Sequence, residues 1–318
     1  MKPEPHPSGR QVELACGDQR VVVTEVGGGL RSYTVAGLAV LYGYGAGEMC
    51  SGGRGQVLIP WPNRLAEGRY HFGGVERQLP LTEPTRMNAI HGLVRWESWQ
   101  VVEGRPDRAV VSHVLHPQPG YPFTLAVTIE YRLEPAGLSV TTTATNVGAD
   151  PLPFGAGFHP YLTVADGTVD DSTLLVPAAT ELEVDDRGVP TGRTLAVEGL
   201  KHDFRSARAI GAAHLDTCFT SMDSDADGMS RVVLAGPDQA RAVTVWMDRA
   251  FPYVMVFTGD TLSPDRRRRG LAIEPMTCAP DAFRNGHGLQ VLQPGQSTSC
   301  RWGIQPFRGP TAQPGASR

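Results

Sequence analysis

The clearest pattern along the chain is an alternation between Thr124 and Leu133. Leu125, Val127, Ile129, Tyr131 and Leu133 alternate with Ala126, Thr128, Glu130 and Arg132. A two-residue period puts one apolar face against a core and leaves the other to water, which predicts a half-buried strand. Leu138 to Thr145 continues in the same style after Pro135-Ala136-Gly137, which predicts a hairpin. Arg20 to Val26, Ala109 to Leu115, Val243 to Met247, Tyr253 to Thr258 and Leu271 to Glu274 are dominated by Val, Thr, Ile and Tyr and predict further strands. No long window carries sustained i, i+3, i+4 apolar spacing, so helices are expected to be few and short. Abundant glycine and proline punctuate the segments, and many short strands between such turns predict an all-β sandwich or barrel. No repeat of fixed period suggests a propeller. No internal linker divides residues 1–318, which are read as one domain. The Pro-, Gly- and Ser-rich ends, Met1 to Gly9 and Arg308 to Arg318, are expected to fray.

Composition narrows the class of function. The net charge is -4 with both signs spread along the chain, which leaves no basic footprint for nucleic acid. No run of about 18 apolar residues predicts a membrane span. The N-terminus lacks the apolar stretch of a signal peptide, so a cytoplasmic protein is expected. Cys16, Cys50, Cys218, Cys278 and Cys300 are odd in number and show no C-x-x-C spacing, so they are expected to be reduced, partly buried thiols. Cys278, four residues after Glu274, could line the same cavity. No H-E-x-x-H or close His/Cys cluster suggests zinc, so neither metal nor cofactor is expected.

Four stretches mix aromatic, Gly/Pro and ionisable residues. They are Ile59-Pro60-Trp61-Pro62-Asn63-Arg64; Asn88-Ala89-Ile90-His91-Gly92 followed by Trp96; Gly155-Ala156-Gly157-Phe158-His159-Pro160-Tyr161; and Leu271-Ala272-Ile273-Glu274-Pro275-Met276. Glu274 ends an apolar strand-like run and is expected at a sheet edge, paired or hydrogen-bonded if buried. His159 sits in a rigid aromatic and proline wall. Read singly, each is also an ordinary structural residue, the carboxylate in an ion pair and the histidine satisfied in a core. Arg266 to Arg269 form a run of four arginines, expected to be solvated in a turn; the alternative is a clamp for a sugar phosphate.

In their order along the chain these stretches resemble the aldose 1-epimerase family, the galactose mutarotases, over roughly positions 12–307. The resemblance is carried by Asn63-Arg64 with Gly68-Arg69-Tyr70 and Gly73-Gly74, His91-Gly92 with a downstream Trp, His159-Pro160-Tyr161, Asp216 in Leu215-Asp216-Thr217, and Glu274-Pro275. It implies a large antiparallel β-sandwich with the sugar in an open cleft on one face. It implies Glu274 as general base and His159 as general acid, with Arg64, His91 and Asp216 binding sugar hydroxyls. Asn63 belongs to the same motif, and Trp61, Trp96 or Tyr161 could stack on the apolar face of the ring. The chain differs from galactose mutarotases at Phe158, where those carry Asn, and at Leu93, where those carry Gly. The preferred sugar therefore stays open.

The implied reaction is the exchange of aldose anomers by ring opening, which needs one acid and one base and no cofactor. The expected partner is a small sugar, with no nucleic acid or membrane, and the chain is expected as a monomer or homodimer. Two alternatives remain at this stage: a hexose-6-phosphate 1-epimerase, and a non-catalytic carbohydrate-binding domain of the same fold.

Overall fold

The alternating segment forms the strand Leu125–Glu134, and the segment after the turn forms Gly137–Asn146. They pair antiparallel from Glu134↔Gly137 to Leu125↔Asn146. Gly137 opens the second strand at φ 135°, and a Cβ there would lie 2.3 Å from the Ile304 carbonyl oxygen, so the neighbouring strand can approach only glycine. The computed structural model describes residues 6–308.

The hairpin is the centre of a nine-stranded antiparallel sheet. In spatial order its strands are Gln100–Arg105, Arg108–Leu115, Leu125–Glu134, Gly137–Asn146, Ser297–Arg308, Arg241–Met247, Ser230–Ala235, Thr173–Leu175 and Arg208–Ala209. A second antiparallel sheet runs Pro190–Ala196, Ala178–Val184, Asp216–Met222, Tyr253–Phe257, Leu271–Met276, Gly157–Phe158 and Val57–Leu58, with Tyr161–Leu162 also paired to Leu271–Met276. Gln11–Cys16, Gln19–Thr24, Leu30–Val35 and Leu38–Ala39 form a smaller sheet. Among the described residues the single α-helix is the four-residue Ala282–Asn285.

The two large sheets share one buried cluster. Ile129, Tyr131 and Val140 of the first and Val254, Val256 and Ile273 of the second all belong to it. Phe158 and Trp302 touch across the layers, with ring centroids 5.0 Å apart. Burying each aliphatic side chain contributes roughly 1.5–3 kcal/mol, so the sandwich rests on this shared layer.

The other face of the second sheet carries the chemistry. Its pairing sets Cys218 opposite Met255 and Met255 opposite Glu274. With side chains alternating along each strand, Asp216, Phe257 and Glu274 project to the face opposite the shared core, while Val254, Val256 and Ile273 point inward.

Two expectations change here. Glu274 is not at a strand end or sheet edge. Its strand continues through Pro275 to Met276 and is paired on both sides, with every residue buried. A fully buried strand shows no alternation, so its pattern gave no sign of where it ends. The terminal segments are also more ordered than expected where they are described. Ser8 is buried, its carbonyl accepts the Val26 N–H at 3.0 Å, and Arg308 completes the last strand. Residues 1–5 and 309–318 lie outside the described residues.

The alternation makes a direct prediction. Ile129 is fully buried whereas Thr128, its neighbour, is exposed. Ile129→Ala is expected to cost about 2–5 kcal/mol in urea denaturation, and Thr128→Ala to stay within about 0.5 kcal/mol.

Candidate active site

A cavity of about 270 Å³ opens on the outer face of the second sheet. Asn63, Arg64, His91, Trp96, His159, Tyr161, Asp216 and Glu274 all line it. Four separate chain segments and the strand beginning at Asp216 deliver them, so the set exists only in the folded sheet.

His159 lies between the two short strands that flank the Glu274 strand. Its N–H donates to the Gln56 carbonyl at 3.1 Å, and its carbonyl accepts the Gly55 N–H at 2.8 Å. Gly53 packs against its ring: a Cβ there would lie 2.7 Å from Cδ2. Tyr161 stacks on the ring at 5.0 Å between centroids, and the Tyr161 hydroxyl donates to the Gly52 carbonyl at 2.9 Å. The imidazole is thereby fixed with Nε2 3.2 Å from Glu274 Oε1.

Both groups are buried, His159 at 5% exposure and Glu274 at 2%. Burial lowers the imidazole to about 3, and the Arg95 cation adds to the effect. Burial also raises the Glu274 carboxyl well above its ordinary range; the Asp216 charge adds to this and Arg64 opposes it. His159 Nδ1 and Glu274 Oε2 have no hydrogen-bond partner, so nothing there offsets the lost hydration. A buried ion pair gains too little from mutual attraction to repay its desolvation. Both shifts favour the neutral imidazole and the neutral carboxyl over the ion pair.

His91 is held differently. Its Nδ1 accepts the Asn63 N–H at 3.2 Å, which puts the ring proton on Nε2. Burial, first of all, pushes the ring well below its ordinary value, and the Arg95 and Arg64 cations add to this. Asn63 and His91 both adopt positive φ, 57° and 65°. The Asn63 side-chain oxygen accepts the Arg64 N–H at 2.8 Å, and the Asn63 carbonyl accepts the His91 N–H at 2.9 Å. Gly92 follows at φ 70°, where a Cβ would lie 2.1 Å from the Ile59 carbonyl oxygen.

Arg64 makes a forked contact with Glu83, with Nε 3.0 Å from Oε2 and Nη2 3.2 Å from Oε1. It also reaches Asp216 at 3.5 Å, and Arg86 lies 3.8 Å from the same carboxylate. Asp216 keeps 40% of its side chain exposed and Trp96 is 51% exposed at the rim, so both face an incoming ligand. Hydrogen-bond donors and acceptors therefore surround the His159–Glu274 contact in this cavity.

The family model described as aldose 1-epimerase matches residues 10–305. The chain belongs to the aldose 1-epimerase family. An Escherichia coli K12 protein, the uncharacterised YihR, is 38% identical over 293 residues, 92% of this chain and 91% of its own. An aldose 1-epimerase of the same strain is 31% identical over 170 residues, 51% of this chain and 47% of its own. A solved GalM/aldose epimerase homologue from C. elegans superposes with a TM-score of 0.84 at 18% identity, covering 94% of this chain and 99% of that one.

Within this epimerase-family cleft several expectations are revised. Trp61 is 3% exposed and packs on Phe283 at 5.5 Å, so it is a core residue and offers no stacking face. Cys278 is fully buried behind the cleft, against the Gly155 backbone, and does not line the cavity. The Arg266 to Arg269 run also lies off the cavity lining. Arg268 in it is no solvated residue: it binds Asp170 and Asp260 at 2.5 and 2.8 Å and caps the Gly211 and Ala213 carbonyls. Phe158 faces the inter-sheet core and Leu93 packs against that core, so neither difference from galactose mutarotases reaches the cavity.

Glu83, Gln56, Gly53 and Arg95 also line the cleft and carried no sequence signal. Glu83 precedes a proline like many turn residues, and only the folded chain brings it to Arg64. No three His, Cys, Asp or Glu side chains among the described residues form a group that could hold a metal ion. No helix among them is long and apolar enough to cross a membrane.

The shifted pair predicts a pH dependence of stability. Unfolded Glu and His titrate near about 4.3 and 6.5. The raised Glu274 loses its stabilising share as pH rises above about 4.3, and the lowered His159 loses its share as pH falls below about 6.5. The two slopes cancel between these values, where folded and unfolded states each hold one proton. Above pH 6.5 the raised Glu274 leaves the folded pair holding more proton than the unfolded one, so stability is expected to fall as pH rises. Glu274→Gln is expected to abolish that fall. Denaturation curves at pH 6.5–8 that run parallel for wild type and variant would mean that Glu274 is ionised in the folded cleft.

Proposed function

We propose that the protein is an aldose 1-epimerase that interconverts the α and β anomers of an aldose such as glucose or galactose, with His159 and Glu274 as its proton-transfer pair. The observation that carries this reading is the 3.2 Å contact between His159 Nε2 and Glu274 Oε1 in a cleft also lined by Asn63, Arg64, His91 and Asp216. Anomer exchange requires one proton taken from the C1 hydroxyl and one given to the ring oxygen. A pair with a single proton has one donor and one acceptor at all times.

Each step balances within the pair. Transfer of the shared proton to Nε2 leaves Glu274 as a carboxylate. Glu274 takes the proton from the C1 hydroxyl, the C1–O5 bond breaks as C1=O1 forms, and Nε2 delivers its proton to O5. Rotation about C1–C2 presents the other carbonyl face. His159 then takes the proton from O5 as it closes on C1, and Glu274 returns a proton to O1. A sugar between the two groups supplies polar partners for both, which favours the charged intermediates that burial alone opposes.

The remaining residues bind. His91 offers its Nε2–H, fixed by the Asn63 amide. Arg64 and Asp216 offer a donor and an acceptor, with Glu83 holding the guanidinium in place. Tyr161 backs the His159 ring, and Trp96 stands at the rim, where an aromatic face packs against sugar C–H groups.

Mutarotation followed by polarimetry tests the assignment. Glu274→Gln and His159→Asn are each expected to lose roughly 10²–10⁴-fold in kcat while remaining folded. The wild-type kcat is expected to be bell-shaped in pH, since losing the shared proton or adding a second removes either the acid or the base. Near-wild-type exchange in either variant removes that residue from its role. Sugar binding by calorimetry with no acceleration over buffer would make the protein a carbohydrate-binding domain of this fold instead.

A second prediction separates binding from chemistry. Asp216→Asn is expected to raise KM several-fold with a smaller change in kcat, because Asp216 touches hydroxyls and not the reacting atoms. A loss confined to kcat would place it among the reacting groups.

A further inference from the structure

A second cavity of about 280 Å³ adjoins the cleft. Gln56, Arg95 and Trp96 line both, so these three residues form the wall between them. Arg95 is the unusual member. Its guanidinium donates to Gln56 Oε1 at 3.4 Å and to the Ile90 carbonyl at 3.3 Å, both long contacts. Among the described residues no carboxylate pairs with it.

Arg54, Arg64 and Arg268, which are also buried or half-buried, are satisfied. Arg64 has Glu83 and Asp216, and Arg268 has Asp170 and Asp260. Arg54 donates to the Gly43 and Ser51 carbonyls and lies over the Tyr42 and Tyr44 rings. Cys50 lines the second cavity but supplies no anion, because burial pushes its thiol up to about 11. Burial also lowers Arg95 from its ordinary value, and its positive charge is felt at both His91 and His159. A cation withdrawn from water without a counter-charge is a cost to the fold, and an anion entering the cleft would remove it. An arginine fork suits the oxygens of a phosphate or a carboxylate.

We propose that Arg95, at the junction of the two cavities and with Gln56 beside it, recognises an oxyanion carried by the sugar on a carbon other than C1. The preferred substrate class is then an acidic aldose, a sugar phosphate or a uronic acid. The second cavity gives the substituent room beyond the cleft. The phosphate-clamp role considered for the Arg266 to Arg269 run thus passes to a single arginine that the run does not include. This inference rests on the epimerase reading of the same cleft for its catalytic consequence, and on Arg95 alone for binding.

The test compares glucose, glucose 6-phosphate and glucuronate in two measurements, anomer exchange by NMR and affinity by calorimetry, at low ionic strength. In wild type at least one acidic sugar is expected to exceed glucose in kcat/KM and in affinity by roughly 10- to 100-fold, the range of a charge-assisted hydrogen bond. Arg95→Met is expected to bring that ratio close to one, and Arg95→Lys to restore part of it. Preference for the phosphate alone or the carboxylate alone identifies the oxyanion. Glucose binding and reacting as well as both acids in wild type overturns the proposal, as does a preference unchanged in Arg95→Met. If no sugar is exchanged faster than in buffer, the epimerase reading fails, and the affinity ratio still decides for or against the oxyanion site.

Discussion

A carboxyl group buried in the middle of a fully buried strand is the constraint around which this site is organised. Glu274 cannot be ionised cheaply where it stands, because both flanking strands and Met276 and Met255 exclude water. Its nearest titratable partner, His159, is equally buried. The low-dielectric interior favours the neutral form of each group. Burial thus couples the pair: a solvated glutamate and histidine would each titrate alone.

Holding that pair requires a scaffold that water cannot enter and side chains cannot drift from. The glycines beside it meet this need by letting backbone approach closely. Gly53 sits on the His159 ring and Gly92 on the Ile59 carbonyl, at positions where a Cβ would collide. Asn63 and His91 accept positive φ between them, and their backbone and side-chain hydrogen bonds compensate. The result is a wall whose donors are aimed before any ligand arrives, the condition under which hydrogen bonds favour a transition state.

Membership of the aldose 1-epimerase family is shown by nearly the whole chain, whereas the electrostatic character of the cleft varies from its centre to its rim. The centre of the cleft is charge-balanced, with Arg64 and Arg86 facing Glu83 and Asp216. Towards Trp96 and the adjoining cavity the balance is broken by Arg95. Two parts of one cleft therefore differ in electrostatic character.

The sequence by itself determined the all-β class and pointed to residues that the fold gathers round one cavity. Alternation at Leu125 to Leu133 forced a half-buried strand, since a two-residue period has one energetically acceptable orientation. The ordered motifs singled out eight residues that do line one cavity. What the sequence left open was set by contacts between distant segments. Glu274 read as a strand-end residue because a buried strand has no polar face to mark its limits. Trp61 and Trp96 looked alike, yet one packs on Phe283 and the other stands at the rim. Arg95 lacked any local motif; its distinction is that among the described residues its guanidinium has no carboxylate partner and only two long hydrogen bonds, at the junction of two cavities. Protonation was decided last and only in three dimensions, because a pKa depends on the water removed from around a group, and that is a property of the assembled sheets.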